Sequence, residues 1–227
     1  MPLKAVVFDF DGVIANSEPL HLRAFQEVLA GAGVALTEAD YYARYLGFDD
    51  VGVFRAIREE RGTAWAPEQI EALVARKAAR MEVLERHVSL LFPGAAAAVR
   101  RLAAKVPLAI ASGALGAEIS RVLDHEHLTP CFAAIVAAED SPAGKPAADP
   151  YLRALAKLGA AQHETFAAGD CVAVEDSVWG LESARAAGLR TVGITHTYGR
   201  SELQAAQLII DSLDDLTFDV IEKLVAG

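Results

Sequence analysis

One strand-like run stands far from all the others, and that gap constrains the fold more than any other feature of the chain. Leu3 to Phe10 (LKAVVFDF) is a short β-branched and aromatic run that stops at the turn-forming pair Asp11-Gly12, the pattern of a buried strand. The next such run begins only at Pro107, almost a hundred residues later. The interval reads as helix. Glu18 to Gly31, Glu38 to Tyr45, Val51 to Glu60 and Pro67 to His87 each repeat apolar residues three and four apart. Pro67 suits the opening of a helix, and Gly31, Gly33 and Gly62 mark the breaks.

From Pro93 the pattern alternates. A helix (Ala95 to Ala104) leads to a strand (Pro107 to Ala111), a helix (Leu115 to Leu123) and a strand (Phe132 to Val136). A helix from Pro150 to Leu158, a strand from Cys171 to Val174, a helix to Ala187 and a strand from Arg190 to Ile194 follow, then a strand-helix pair from Leu208 to Leu224. Such alternation predicts an α/β fold, a parallel sheet with crossover helices. A single crossover does not need so long an interval, so residues 15–91 are expected to form an inserted helical domain. Residues 1–14 and 92–227 then make one discontinuous sheet domain. The alanine-rich stretches at Ala95–Ala98 and Ala184–Ala187 suit closely packed helices.

With 53% hydrophobic residues in 227, the chain can bury a sizeable core. Its 21 basic and 31 acidic residues give a net charge of −10 with no long basic run, which argues against nucleic acid or an acidic membrane as partner. Cys131 and Cys171 lie in apolar sequence, too far apart and too poor in nearby histidine for a redox pair or zinc site. They are expected to be buried small hydrophobes. No apolar stretch reaches the roughly 18 residues of a membrane span, and no basic leader precedes the first strand. A cytoplasmic, soluble protein, monomeric by default, is the expectation.

Ligands of open α/β sheets bind beyond the carboxyl ends of the strands, and four polar clusters fall there. Asp9 and Asp11, two apart, leave the first strand on the same side. One carboxylate can attack phosphorus while the other handles the proton of the arriving or departing oxygen. Taken alone, Asp11-Gly12 is equally a plain bend. Ser112-Gly113 places a hydroxyl and a backbone amide where they can hold a phosphate oxygen, or simply enters a helix. Lys145, between Gly144 and Pro146, can neutralise phosphate and restrain a carboxylate. Glu175-Asp176-Ser177 ends an apolar strand with two acids, costly to bury unless a cation such as Mg²⁺ joins them. A helix cap is the alternative there.

The ordered set DFDGV (Asp9 to Val13), ASG (Ala111 to Gly113), GKP (Gly144 to Pro146) and VEDS (Val174 to Ser177) resembles the haloacid dehalogenase superfamily. The similarity is to the branch containing β-phosphoglucomutase and many small-metabolite phosphatases, and it covers essentially the whole chain. The resemblance implies a Rossmann-like core with a helical cap, and a phosphatase forming an aspartyl-phosphate on Asp9. It implies Asp11 as general acid/base, and Ser112, Gly113 and Lys145 as ligands of the transferring group. Mg²⁺ would be held by Asp9, the Asp11 main-chain carbonyl, Glu175 and Asp176. His21 matches a family histidine near the core–cap hinge. Lys77 matches a cap lysine that reaches the active site, although Arg76 and Arg80 beside it also suit a solvated helix face. The partner is a small phosphorylated metabolite.

The match breaks in the cap. Mutases of this branch carry Gly-x-x-Arg, whose arginine grips a second phosphate; here the stretch is Leu46-Gly47-Phe48-Asp49-Asp50, with Asp50 at the arginine position. A carboxylate there repels phosphate, which favours a phosphatase over a hexose-phosphate mutase unless Arg44 or Arg55 compensates. Ala147 and Ala148 stand before Asp149 where the family often has proline, and Trp179 fills a position usually small, where it either narrows the site or pads the core, the second being preferred. A catalytically silent binding protein on the same fold would not need the four clusters together.

Overall fold

The computed structural model describes residues 2–46, 48–85 and 88–226. Six strands form one sheet: β1 (Ala5–Phe8), β2 (Leu108–Ala111), β3 (Phe132–Val136), β4 (Cys171–Glu175), β5 (Arg190–Ile194) and β6 (Leu208–Ile210), in the order β3-β2-β1-β4-β5-β6. Every pairing is parallel. β1 (AVVF) and β4 (CVAVE) are buried along their whole length, as unbroken apolar runs require when helices cover both faces.

The chain divides into two compact units, residues 1–16 with 90–227, and residues 17–89. The sheet unit carries α5 (Ala95–Ala103), α6 (Gly116–His125), α7 (Asp149–Gln162), α8 (Val178–Ala186) and α9 (Phe218–Ala226), after the four helices of the other unit. Small side chains allow close helix–sheet approach: Ala154, Ala173 and Ala184 are fully buried in one cluster with Tyr151 and Leu158. Cys171 is buried as expected, whereas Cys131 is half-buried, because it closes a short turn at the start of β3. α7 runs four residues beyond the expected Leu158, since Gly159-Ala160-Ala161 continues the helix until His163 takes a left-handed conformation.

The helical unit contains α1 (Glu18–Ala30), α2 (Glu38–Arg44), α3 (Asp50–Arg61) and α4 (Pro67–Glu85). Thr37 caps α2 by accepting from Asp40 N–H, and Asp49 caps α3 by accepting from Gly52 N–H at 2.6 Å. Gly62 ends α3 at φ 65°, the left-handed conformation that glycine tolerates. Phe25, Phe54 and Trp65 pack edge to face at the centre. Gly47, and His87 at the expected end of α4, lie outside the described residues. No helix among the described residues is long and apolar enough to cross a membrane.

Candidate active site

Sheet register lines up the polar residues. Phe8 on β1 pairs with Ile110 on one side and Val174 on the other, so Asp9 and Glu175 leave the sheet at one level. Ser112 and Asp176 follow one residue later. Asp9 N–H donates to Val174 carbonyl at 3.0 Å, and Ser112 N–H to Val136 carbonyl at 3.0 Å, so backbone pairing holds both residues just past their strands.

Lys145 comes down from the loop before α7. Its Nζ lies 2.7 Å from Asp9 Oδ1 and 2.6 Å from Glu175 Oε1. Tyr151, one turn into α7, donates its hydroxyl to the same Glu175 oxygen at 2.5 Å. Carboxylate oxygens of Asp9, Glu175 and Asp176 lie within 4.8 Å of one another, and the three residues are 8%, 0% and 5% exposed. Three acids therefore share one ammonium in a space with little water. Burial, then the charge of Asp9, raises Glu175 and Asp176 above the usual carboxylate range, while Lys145 opposes the shift. Burial alone would lower Lys145, but Asp9 and then Glu175 outweigh it and hold its ammonium charged. Hard oxygen donors with excess negative charge and close spacing suit Mg²⁺. Lys145 thus takes one oxygen each of Asp9 and Glu175, and Tyr151 shares that of Glu175.

Asp11 lies exposed in the turn whose ends, Asp11 and Ala15, bridge each other. That turn needs glycine at position 12. Gly12 has φ 76°, and a Cβ there would fall 1.9 Å from Asp176 Oδ2. Ser112 is buried, and its Oγ accepts from Ala114 N–H at 3.0 Å, which leaves the hydroxyl hydrogen to donate elsewhere. A Cβ at Gly113 would meet nothing within 4 Å, so the backbone there borders open space. Asp9, Lys145, Glu175 and Asp176 thus form one contacting cluster, with Asp11, Ser112 and Gly113 on the adjoining strand ends.

His21 and Lys77 meet each other in the helical unit. Lys77 Nζ donates to His21 Nδ1 at 2.8 Å and to Asp50 Oδ1 at 2.7 Å, above the Phe25 ring at 4.9 Å. Lys77 is 2% exposed, which excludes the solvated helix face that its basic neighbours suggest. Burial, then the Lys77 charge, pushes His21 down to about 4. Asp49 caps α3, and of the two arginines that could offset Asp50, Arg44 pairs with Glu60 at 2.6 Å while Arg55 lies exposed on α3. Trp179 is 55% exposed and meets Tyr198 edge to face, which overturns its assignment as core padding: in the first turn of α8 its side chain points outward. Tyr151, and His196, whose Nδ1–H donates to the Gly12 carbonyl at 2.9 Å, escaped the sequence reading. A fifth strand end at the same edge of the sheet was the available signal for His196.

The sequence profile of haloacid dehalogenase-like hydrolases matches residues 3–188. This chain belongs to that family. It is a hydrolase. Protein CbbY of Rhodobacter capsulatus is 33% identical over 99% of this chain and 100% of its own length. Hexitol phosphatase B of Escherichia coli K12 is 29% identical over 94% of each chain. Among solved structures, a mutant CbbY from Rhodobacter sphaeroides in complex with xylulose-(1,5)bisphosphate superimposes with TM-score 0.75 at 26% identity, covering 95% of this chain and 96% of that one.

Proposed function

We propose that this hydrolase is a Mg²⁺-dependent phosphomonoesterase of small phosphorylated metabolites, sugar phosphates in particular, working through an aspartyl-phosphate on Asp9. The carrying observation is Lys145, shared between Asp9 and Glu175 with Asp176 alongside. Asp9 attacks phosphorus; the bond to the ester oxygen breaks, and Asp11 gives that oxygen its proton. Water then attacks the phosphorus, passing a proton to Asp11, and the bond to Asp9 breaks to release inorganic phosphate. Ser112 hydroxyl, Gly113 N–H and Lys145 hold the phosphoryl oxygens. Asp9, the Asp11 carbonyl, Asp176 and Glu175 would hold Mg²⁺, which when bound stabilises charge on those oxygens.

Hydrolysis is favoured over a mutase-type transfer by Asp50, whose carboxylate is committed to Lys77 where the mutases carry an arginine. The helical unit is proposed to select the leaving group. ³¹P NMR of the protein with Mg²⁺ and a panel of hexose, hexitol and pentulose mono- and bisphosphates tests this. A growing inorganic phosphate peak, abolished by Asp9→Asn, is expected. A growing peak of an isomeric sugar phosphate overturns the hydrolytic reading in favour of a mutase.

A further inference from the structure

The turn that carries Asp11 is closed by its own backbone. Phe10 carbonyl accepts from Val13, Ile14 and Ala15 N–H at 3.4, 2.8 and 2.8 Å, and Gly12 N–H donates to Ala15 carbonyl at 2.9 Å. These bonds set the shape of the turn, and none of them uses the Gly12 carbonyl.

That carbonyl is taken by His196, from the loop after β5. Nδ1 lies 2.9 Å from it, and because a carbonyl only accepts, Nδ1 carries the hydrogen. The imidazole also stacks on Phe92, with ring centroids 3.8 Å apart and planes within 15°. Phe92 N–H in turn donates to Ile14 carbonyl at 3.0 Å. Gly12, His196, Phe92 and Ile14 therefore form a closed circuit of contacts around the turn. The residue before His196 anchors that circuit to the sheet. Thr195 N–H donates to Ile210 carbonyl at 3.1 Å, and its hydroxyl to Asp211 Oδ1 at 2.8 Å. The turn leaves β1 but is thus tethered at the far side to the ends of β5 and β6.

We propose that His196 is a positioning residue for Asp11, its Nδ1–H holding the turn where the Asp11 carboxyl reaches the ester oxygen of the substrate. This rests on the reading of Asp11 as general acid/base. Asp11 is exposed and Gly12, at φ 76°, has no side chain to pack, so burial does little to hold this part of the turn. A proton donor must lie within hydrogen-bond reach of the oxygen it serves, and a misplacement of about 1 Å can cost roughly 10²-fold in rate. The tether from His196 supplies the restraint that burial does not.

The test compares kcat/KM of the full-length protein for p-nitrophenyl phosphate and for glucose 6-phosphate at saturating Mg²⁺. This quantity covers the steps up to departure of the leaving group. Nitrophenolate leaves without a proton, whereas the sugar oxygen needs one from Asp11. Weaker binding of phosphate or Mg²⁺ lowers both values alike, so their ratio isolates the proton. Asp11→Asn is expected to raise the ratio of aryl to sugar phosphate roughly 10²-fold. His196→Phe, which keeps a ring against Phe92 but has no donor, is expected to raise it about 10-fold. His196→Asn, whose amide N–H falls near the place of Nδ1, is expected to stay within about threefold of wild type. An unchanged ratio in H196F, or one raised as much in H196N, overturns the proposal while Asp11 keeps its role. An unchanged ratio in D11N overturns that role and the proposal with it, as does a wild type that hydrolyses neither substrate. If H196F does not fold, as thermal melting will show, His196→Ala against H196N gives the same comparison.

Discussion

Lys145 holds together two carboxylates that could not otherwise be buried side by side. Replacing it by methionine keeps the bulk and leaves Asp9 and Glu175 without their counter-charge, a loss of about 3–5 kcal/mol for a broken buried pair. Lys145→Met is therefore expected to melt lower than wild type in EDTA, and to gain more than wild type from added Mg²⁺, in thermal denaturation. Its phosphate release is expected to fall by roughly 10²-fold or more. His21 gives a pH signature. With its folded-state value near 4 against an ordinary 6.5, the unfolded chain binds the extra proton first. The stability His21 contributes is present above about pH 6.5 and is lost as pH falls toward 4. His21→Asn is expected to flatten the decline of melting temperature over that window, and an unchanged slope would count against the burial of His21 beside Lys77.

Asp9, Lys145, Glu175 and Asp176, which the structure brings into one cluster, could be picked out in the sequence because each follows an apolar run or a turn signal. Tyr151 and His196 could not, since a tyrosine on a helix and a histidine in a loop have many commonplace uses. Their significance arises only when the order β1-β4-β5 brings three strand ends together. Lys77 was open to two readings: Arg76 and Arg80 beside it suit a solvated face, yet the helix turns it inward onto Phe25.

Among the elements, α8 is fitted to the end of β4 with unusually little clearance. Ser177 caps it by accepting from Gly180 N–H at 3.1 Å. A Cβ on Gly180 would lie 1.9 Å from Glu175 Oε2 and 2.0 Å from its Cδ. Gly180→Ala therefore cannot be absorbed as a helix-favouring change. Alanine would gain up to about 1 kcal/mol of helix propensity, but overpacking against a fully buried carboxylate costs about 1–3 kcal/mol. Net destabilisation in urea titration is expected, together with loss of phosphate release as Glu175 is pushed off Lys145. The strands and helices themselves were legible within a few residues from apolar periodicity. Helix ends shifted where a cap decided them, as Asp49 does for α3.

At the scale of the whole molecule, the chain leaves and re-enters the sheet unit through a paired neck. Phe92 N–H donates to Ile14 carbonyl at 3.0 Å, Asn16 N–H donates to Leu90 carbonyl at 2.6 Å, and Ala15 bridges Leu91 in antiparallel fashion. Joining Asn16 to Leu90 by a short glycine-serine link is expected to give a sheet unit that folds alone, with cooperative unfolding by circular dichroism. A non-cooperative melt would mean that residues 17–89 are needed to complete it. Closing a flexible connection costs only about 0.6 kcal/mol for each doubling of its length, and a paired neck hides even that from the strands. The junction is thus a socket, into which a lineage can fit a longer, shorter or unrelated insert without re-registering β1. What the insert selects and what the strand ends do chemically can then be inherited separately, one changing while the other stays fixed.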